Sequence, residues 1–283
     1  AQMDPRPLAW VRILVALCVF GDLLRIGQLG LVGVFFRRYA DGGLSRIQAE
    51  NWIWVTDLSA QWGGPIAWFI CLICALAVAL GVRARLAMIV LLIFYAQLGH
   101  LYPPGDRGID RMIRTVLLVL VFSGSHLALR FRGGTVPAQI PAWPARLIIF
   151  LLVLMYMTAG LHKLGSSPQW LASSGDSPIY RIVTDPMAGR RDPVASQVWL
   201  PLWRVLGWFT IVFEVGAFLL LTRWGRWWAI MGIGMHLGLM LTMHLGMFSW
   251  AMLAFYPIIL GTWTCSASDW LGIQLKSWRQ RFR

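Results

Sequence analysis

The sequence predicts an all-α membrane protein, a polytopic bundle of about eight transmembrane helices. Only 13% of its 283 residues are charged, against about 25% in a typical soluble protein. Hydrophobic residues make up 58% of the chain and lie in long blocks, each long enough to cross roughly 30 Å of hydrocarbon. The net charge of +13 comes mainly from short segments between these blocks, as topology signals do. We therefore expect contacts with membrane lipids and no binding of nucleic acid.

Eight apolar runs account for the predicted helices. Pro103, Pro104 and Gly105 break the chain after the third run. A long loop, 165–200, separates the fifth run from the sixth. The seventh and eighth runs share one apolar block that only the segment MHLGMF interrupts, so their division is the least marked. The runs cover approximately residues 8–34, 62–81, 86–102, 111–129, 145–164, 202–222, 226–245 and 248–263.

Lysine and arginine are distributed unequally between the two ends of these runs. One side carries almost only positive charge, with Asp4 and Asp269 as its acids, whereas the other side mixes both signs. The positive-inside rule predicts that the basic side, with both termini, is cytoplasmic and that the protein lies in the cell (inner) membrane. Lys163 and the 165–200 loop then face outward. The cations of the basic side are Arg6, Arg12, Arg83, Arg85, Arg130, Arg132, Arg146, Arg223, Arg226, Lys276, Arg279, Arg281 and Arg283.

The first run contains charged residues that argue against a cleaved signal peptide. Arg12, Asp22 and Arg25 interrupt its apolar sequence and no clear cleavage site follows, so we expect a retained first helix. Asp22 and Arg25 are three residues apart and are expected to neutralise each other on one helix face.

Cys71 and Cys74 form a C-x-x-C pattern inside the second run. This spacing can indicate a redox or metal site, but no acid, histidine or proline flanks it in WFICLICALAV. Two small apolar residues that pack against a neighbouring helix explain the pattern better. His236 and His244 are eight residues apart, whereas a metal pair prefers i, i+4 spacing. We therefore expect no bound metal.

The stretch from Tyr156 to Trp170, YMTAGLHKLGSSPQW, contains the least usual residues of the chain. His162 and Lys163 are adjacent titratable groups on the last turn of the fifth run, and Gly160 allows another backbone or a flat ligand to come close. A charged lysine this near hydrocarbon is costly unless it snorkels, pairs or has a function. Taken alone, the stretch favours a snorkelling lysine.

Three further polar positions lie in or near the runs. Glu214 is at membrane depth in WFTIVFEVGAFLLL, where a functional acid and a neutral, hydrogen-bonded acid that packs helices are equally good interpretations. Asp110 enters the fourth run, where it suits the helix dipole. Arg111 can pair with Asp110 or Asp106, and a charged helix cap is favoured over catalysis there.

Two motifs resemble those of the vitamin K-dependent gamma-glutamyl carboxylases. AGLHKL followed by Trp170 is similar to their lysine-bearing segment, which has the form A-G-x-K-K-L with a tryptophan shortly after. His236 followed by HLGMFSWAML resembles the stretch in which a histidine precedes G-M-F-S-Y-V-M-L. The superfamily is that of the horizontally transferred transmembrane (HTTM) domain. The resemblance implies an HTTM-like domain over 1–265, followed by a basic, interfacial cytoplasmic tail over 266–283.

The resemblance also implies a chemistry. Lys163 matches the lysine thought to deprotonate vitamin K hydroquinone, and His162 replaces the lysine before it. A neutral amine is needed for such a base, and desolvation favours that form. The expected cofactor is a vitamin K-like quinol, with oxygen as co-substrate, in lyase or oxidoreductase chemistry. Asp110, Glu214 and His236 are the relay or orienting candidates, and the substrate contacts are expected from Tyr156, Gly160, Trp170, Arg111, Met247 and Phe248.

A second hypothesis is a membrane maturation or accessory factor for a secreted peptide, acting with a partner protein. Some short HTTM proteins resemble the membrane component of sporulation-delaying toxin production. The 165–200 loop would then be the docking surface for an exported peptide substrate. A carrier or channel ranks third, because few charges line the runs and no paired broken helices are apparent.

Overall fold

The computed structural model describes residues 1–44, 53–131, 135–166, 168–171 and 177–270. Parts of the predictions lie outside the described residues: Arg132, a portion of the 165–200 loop and the tail from 271 onward, with Lys276, Arg279, Arg281 and Arg283. The chain forms two compact units, one made of Ala1–Arg146 with the segment that starts at Gly261, and one made of Leu147–Leu260.

The first unit is a group of helices tied at its start by a short β ladder. Strands β1 (Gln2–Met3) and β2 (Ile140–Pro141) are antiparallel, with Gln2 opposite Pro141 and Met3 opposite Ile140. Helix α4 packs against both α1 and α5. The helices are α1 (Arg6–Gln28), α2 (Val32–Phe35), α3 (Trp54–Leu58), α4 (Gly63–Leu80), α5 (Ala84–Leu101) and α6 (Gly108–Val121).

Helix α4 shows how these helices pack. Ala67, Cys71 and Ala75 follow one another at four-residue spacing and are fully buried, so they form one helix face. Phe69 and Ile73 on the same helix are more than half exposed, as expected of side chains that meet lipid. Cys71 therefore occupies the packing position that the sequence predicts for it.

The second unit begins within the helix that carries Lys163. Short connections join most of its helices, and Gly216–Leu221 extends α10 as a 3-10 helix. The helices are α7 (Trp143–Ser166), α8 (Pro178–Val183), α9 (Pro193–Gln197), α10 (Leu200–Val215), α11 (Gly225–Thr242) and α12 (Phe248–Leu253).

The prediction of a helical membrane protein is confirmed, but the count of eight spans is not. Five described helices are long and apolar enough to cross a membrane. The broken pair Phe248–Ile258 and Gly261–Trp270 would be a sixth if it crosses as one span. The five are Arg6–Gln28, Gly63–Leu80, Ala84–Leu101, Trp143–Gly165 and Leu200–Leu221.

Two predicted runs differ from the structure for physical reasons. Helix α6 has 14 residues, which span only about 21 Å. It ends because the Ser123 hydroxyl accepts a hydrogen bond from the Ser125 amide and starts a 3-10 turn. Helix α11 has sufficient length, but Arg226, two tryptophans and His236 make it less apolar than the five spans.

The described part of the 165–200 region contains more regular structure than a loop. It contains α8 and α9, and Ile179 and Val183 of α8 pack in a buried cluster with Trp203 and Met243. Asp192 caps α9, because its side chain accepts a hydrogen bond from the Ala195 amide. This region therefore forms a packed layer on the ends of α10 and α11.

Candidate functional site

Lys163 and Glu214, which are 51 residues apart in sequence, form an ion pair in the second unit. The Lys163 Nζ lies 2.7 Å from Oε1 and 2.6 Å from Oε2 of Glu214. Their side chains are 21% and 10% exposed, so water reaches the pair only in part. The attraction between the two charges is stronger at this depth than on an exposed surface, and it acts against the cost of removing both charges from water. The lysine is thus directed at a partner and does not snorkel to the interface.

A glycine allows the two helices of the pair to approach. Gly160 lies one turn before Lys163 on α7 and faces α10. A Cβ atom added to Gly160 would lie 2.9 Å from both the Glu214 Cβ and the Val215 amide nitrogen, which is closer than Cβ atoms approach in proteins. The backbone that Gly160 admits is therefore that of α10, and this contact places Glu214 within reach of Lys163.

Trp170 completes the surroundings of the amine. It ends the 3-10 turn Pro168–Trp170, and its ring centroid lies 5.3 Å from the Lys163 Nζ, which is a cation–π distance. The amine thus contacts both oxygens of one carboxylate and the face of one aromatic ring. The sequence did not predict this carboxylate partner on α10, and the role of Lys163 as a base stays a prediction.

The histidine beside the lysine is exposed. His162 is on an exposed part of α7, next to Leu161, which is 53% exposed. The contacts described for the ion pair come from Glu214 and Trp170.

A second polar cluster lies two turns earlier on α7. The Tyr156 hydroxyl is 2.7 Å from His236 Nε2 and 3.0 Å from the Tyr256 hydroxyl. All three residues are at most 4% exposed. Two further polar atoms are buried, Nδ1 of His236 and Oγ of Ser249 on α12. Neither has a hydrogen-bond partner among the described residues. Such atoms are suited to bind a water molecule or a polar group of a ligand.

One face of α7 joins the two clusters. Tyr156, Gly160 and Lys163 are spaced by four and three residues, so they follow each other along one side of the helix. The same face carries the hydroxyl that contacts His236, the close approach to α10 and the amine. This side of α7 therefore carries three predicted site residues, Tyr156, Gly160 and Lys163. The helices packed on it bring two more, Glu214 and His236.

Aromatic rings surround the second cluster. Phe213 packs edge-on against Tyr156 at 5.1 Å between ring centroids and stacks on Trp228 at 5.8 Å. The predicted contact residue Phe248 lies 5.9 Å from the His236 ring. Met247 precedes α12 and is partly exposed.

A glycine also fits Tyr256 into this cluster. A Cβ atom at Gly232 on α11 would overlap the Tyr256 hydroxyl. Tyr256 therefore depends on a residue without a side chain to reach Tyr156.

Asp110 belongs to a different network, in the first unit. It receives hydrogen bonds from Arg107 Nε at 2.8 Å and from the Tyr95 hydroxyl at 2.7 Å. Arg107 Nη2 also lies 2.6 Å from Asp22 Oδ2. The predicted pairing of Asp22 with Arg25 is thus wrong, because the planar guanidinium of Arg107 reaches two carboxylates at once and Arg25 is exposed.

Arg111 also belongs to this network and pairs with Asp106, one of its two predicted partners. Arg111 Nε is 3.2 Å from Asp106 Oδ2, and Arg114 holds the same carboxylate through two bonds of 2.7 and 2.8 Å. Burial disfavours the charged carboxylate, but the hydrogen bonds and charges of Arg114 and Arg111 outweigh it and lower the pKa of Asp106 below its ordinary value. The acids and arginines here neutralise one another, as in a charged helix cap.

Sequence reasoning missed Tyr256, Tyr95 and Arg107. Each tyrosine is a single hydroxyl in an apolar run, and an apolar run with a buried hydroxyl implies a polar partner on another helix. A lone hydroxyl does not show which residue is its partner, so the contacts of Tyr256 and Tyr95 could not be predicted from the sequence. In the described parts of the chain, no group of three or more histidine, cysteine or acidic residues is arranged to hold a metal ion.

Comparison with known proteins gives one match. The family model of the HTTM domain matches residues 115–263, which is just over half of the chain and includes Lys163, Glu214 and His236. A search of curated proteins and a search of solved structures find no significant match. The matched stretch contains both motifs on which the resemblance rested. The chain is therefore a multi-pass membrane protein that belongs to the HTTM domain family.

Proposed function

We propose that this protein is a carboxylase-like membrane enzyme in which Lys163 and Glu214 together form the base for a quinol or another lipid-soluble substrate. The observation that carries the proposal is the contact of the Lys163 Nζ with both Glu214 oxygens at 2.6–2.7 Å in a partly exposed position. The first hypothesis needs a base, and Lys163, which lies in the stretch matched by the HTTM family model, supplies an amine for this role.

The proton step follows from the charge states of the pair. With one proton fewer, the pair is a neutral amine beside a carboxylate, and the amine nitrogen can take the proton of a substrate hydroxyl. Proton transfer leaves a substrate oxyanion and restores the ammonium, which the Glu214 carboxylate stabilises. The ion pair in the structure is thus the protonated state of the proposed base. Glu214 holds the amine in place through both of its carboxylate oxygens.

The surroundings suit a substrate that arrives from lipid. Leu161 and Leu164 flank Lys163 on α7 and are 53% and 36% exposed, so the amine lies beside an apolar surface. A vitamin K-like quinol would supply an electron-rich ring whose deprotonated form reacts with oxygen. The unpartnered His236 Nδ1 and Ser249 Oγ, next to the Phe248 ring, suit the polar and aromatic parts of such a molecule.

The assignment of roles differs from the sequence hypothesis in one respect. Glu214 and His236 remain candidates for proton relay and orientation. Asp110 and Arg111 hold charges that their own neighbours already neutralise, so we assign them to the stability of the first unit.

The test is quinol-dependent oxygen uptake by the purified protein in lipid nanodiscs with vitamin K hydroquinone. Lys163→Ala should reduce the rate by about two to four orders of magnitude, the usual contribution of a positioned base. Thr158→Ala is a matched control, because Thr158 is exposed on the same helix and its hydroxyl bonds only its own helix backbone. Normal uptake by Lys163→Ala, at equal membrane expression, would end the proposal.

A second function has support from exposed apolar residues outside the spans. In the 165–200 region Met187, Val194 and Val198 are 91%, 76% and 80% exposed. Such residues suit the docking of an exported peptide to an accessory factor. Val194→Asp with Val198→Asp should then abolish peptide maturation while Lys163→Ala leaves it intact, and the reverse pattern would favour the enzyme.

A further inference from the structure

A groove of about 480 Å³ opens where α4 turns into α5 in the first unit. Its lining combines positive charge with apolar side chains. Arg83 comes from the turn, and His126 and Arg130 come from the segment after α6. The first turns of α5 contribute Arg85, Leu86 and Ile89. The distribution of lysine and arginine predicts that this end of the helices lies on the cytoplasmic side of the membrane.

The backbone holds these residues together. Gly81 ends α4 with φ of 73°, and a Cβ atom there would lie 3.0 Å from the Arg130 Cα, so the segment with Arg130 crosses directly over the end of α4. The Phe131 amide donates to the Leu80 carbonyl at 3.0 Å and fixes this crossing. The groove is therefore formed by the fold and does not depend on chance side-chain positions.

Arg12 fixes the same segment from inside the unit. It is fully buried, and its guanidinium donates to the carbonyls of Ser125 at 2.7 Å, Ala128 at 3.2 Å and Leu129 at 2.8 Å. The chain reverses there, because Leu129 has a φ of 50°. Arg12 thereby adds a further positive charge behind the groove and holds the loop that carries His126 and Arg130.

The positive charges of the groove have no acidic partner among the described residues. Arg85 donates to the Val121 carbonyl at 2.9 Å and Arg130 to the Thr135 carbonyl at 3.1 Å, so each uses part of its guanidinium on neutral oxygens. No acid is among the described residues that line the groove, and none of its three arginines forms an ion pair with the described chain. Elsewhere on this predicted side, Arg6 is neutralised by Asp4 and Asp269.

Three arginines held together without an acid are stabilised by an external anion. A phosphate group suits them best, because guanidinium groups pair with its oxygens through two parallel hydrogen bonds. The exposed fractions of Leu86 and Ile89, 55% and 39%, provide an apolar wall beside the charges, which an acyl chain would cover. Anionic lipids are enriched on the cytoplasmic leaflet, which is the side predicted for the groove.

We propose that the groove formed by Arg83, Arg85, His126 and Arg130 binds a phosphate group, with an anionic membrane lipid as its source. The site lies in the first unit and is independent of the proposed chemistry at Lys163. It uses the head-group phosphate for the arginines and the acyl chain for Leu86 and Ile89.

The test measures lipid that stays bound. The full-length protein is reconstituted into nanodiscs of phosphatidylcholine and phosphatidylglycerol, re-extracted in mild detergent, and weighed with its bound lipids by native mass spectrometry. Arg83→Gln and Arg85→Gln should each lower retained phosphatidylglycerol by about fivefold, the effect of removing one basic residue near an anionic head group. Arg146→Gln removes an exposed arginine of the same predicted side that does not line the groove, and it should change nothing.

Two features keep the test decisive. Arg83 forms no side-chain hydrogen bond with the described residues, so Arg83→Gln should fold even if Arg85→Gln, which loses the bond to Val121, does not. Addition of soluble glycerol 3-phosphate separates the sources: persistence of the lipid supports a lipid head group, and displacement at equal concentration supports a free phosphate ester in the same site. Equal retention in the groove variants and in Arg146→Gln, or a parallel fall of phosphatidylcholine, would overturn the proposal.

Discussion

The Lys163–Glu214 pair and the network around Asp106 and Asp110 contain the same kinds of charge but differ in how many partners each charge has. In the network, Asp106 is held by two arginines and Arg107 by two carboxylates. In the pair, one ammonium meets one carboxylate, with the Trp170 ring as its remaining described contact.

We use this difference in the number of partners to distinguish charges that hold helices together from charges that can exchange a proton. A charge with several partners cannot change its protonation without weakening all of them, so the network is suited to hold helices together. A single pair can lose or gain one proton at the cost of one contact. The sequence suggested the same relay role for Asp110 and Glu214, and we propose different tasks for them because they differ in the number of their partners.

The largest effect on stability is expected at Asp106. Asp106→Asn leaves Arg114, which is 15% exposed, without a carboxylate, and breaking a buried pair in this way costs about 3–5 kcal/mol. Chemical unfolding in detergent micelles measures the loss, with Arg111→Gln as control because Arg111 is 70% exposed. The activity per folded molecule of Asp106→Asn should equal that of wild type. A loss of activity without a loss of stability would mean that the network takes part in catalysis.

Gly160 provides a test of the pair itself. Gly160→Ala should push α7 away from α10 and destabilise the second unit by about 1–3 kcal/mol, the usual cost of overpacking. Gly165→Ala on the same helix is the matched control, since no atom lies within 4 Å of a Cβ there. Thermal unfolding and oxygen uptake should both fall in the first variant only. Equal behaviour of the two would mean that helix contact does not position Glu214.

The tyrosine cluster should respond unequally to its two hydroxyls. Tyr156→Phe removes the partner of the buried His236 Nε2 and should cost about 1–3 kcal/mol. Tyr256→Phe removes one hydrogen bond and leaves Tyr156 bonded to His236, so about 1 kcal/mol is expected. The order of the two variants in chemical unfolding is the result that matters. A larger loss for Tyr256→Phe would show that Tyr256, and not His236, is the main partner of Tyr156.

The smallest effect is a dependence of the network's stability on pH. The pKa of Asp106 is lowered from 3.8 in the folded protein, so this carboxylate contributes stability above that value and loses it as pH falls through the folded pKa. The difference in unfolding temperature between wild type and Asp106→Asn should thus be constant near neutral pH and shrink below pH 3.8. A difference that is the same at all pH values would contradict the charged network.

The sequence was sufficient to predict the helical membrane class and the HTTM family. Apolar blocks and the AGLHKL and HLGMFSWAML segments are local patterns, and they identified Lys163, Glu214 and His236. The contact between Lys163 and Glu214 was not predictable, because it depends on which face of α10 meets Gly160. The roles of Tyr256 and Arg107 also depend on long-range packing. The span count failed where polar residues, Ser123 and Arg226 among them, shorten or dilute an apolar run.

The replacement Lys163→Arg tests the central claim most directly. Arginine keeps the positive charge and the ion pair with Glu214, but it does not give up its proton in proteins, so it cannot become a base. In nanodiscs with vitamin K hydroquinone, we predict an unfolding temperature close to that of wild type and a loss of quinol-dependent oxygen uptake as severe as in Lys163→Ala. Uptake near the wild-type rate in Lys163→Arg would show that the charge at this position matters and the proton does not, which would contradict the proposed base.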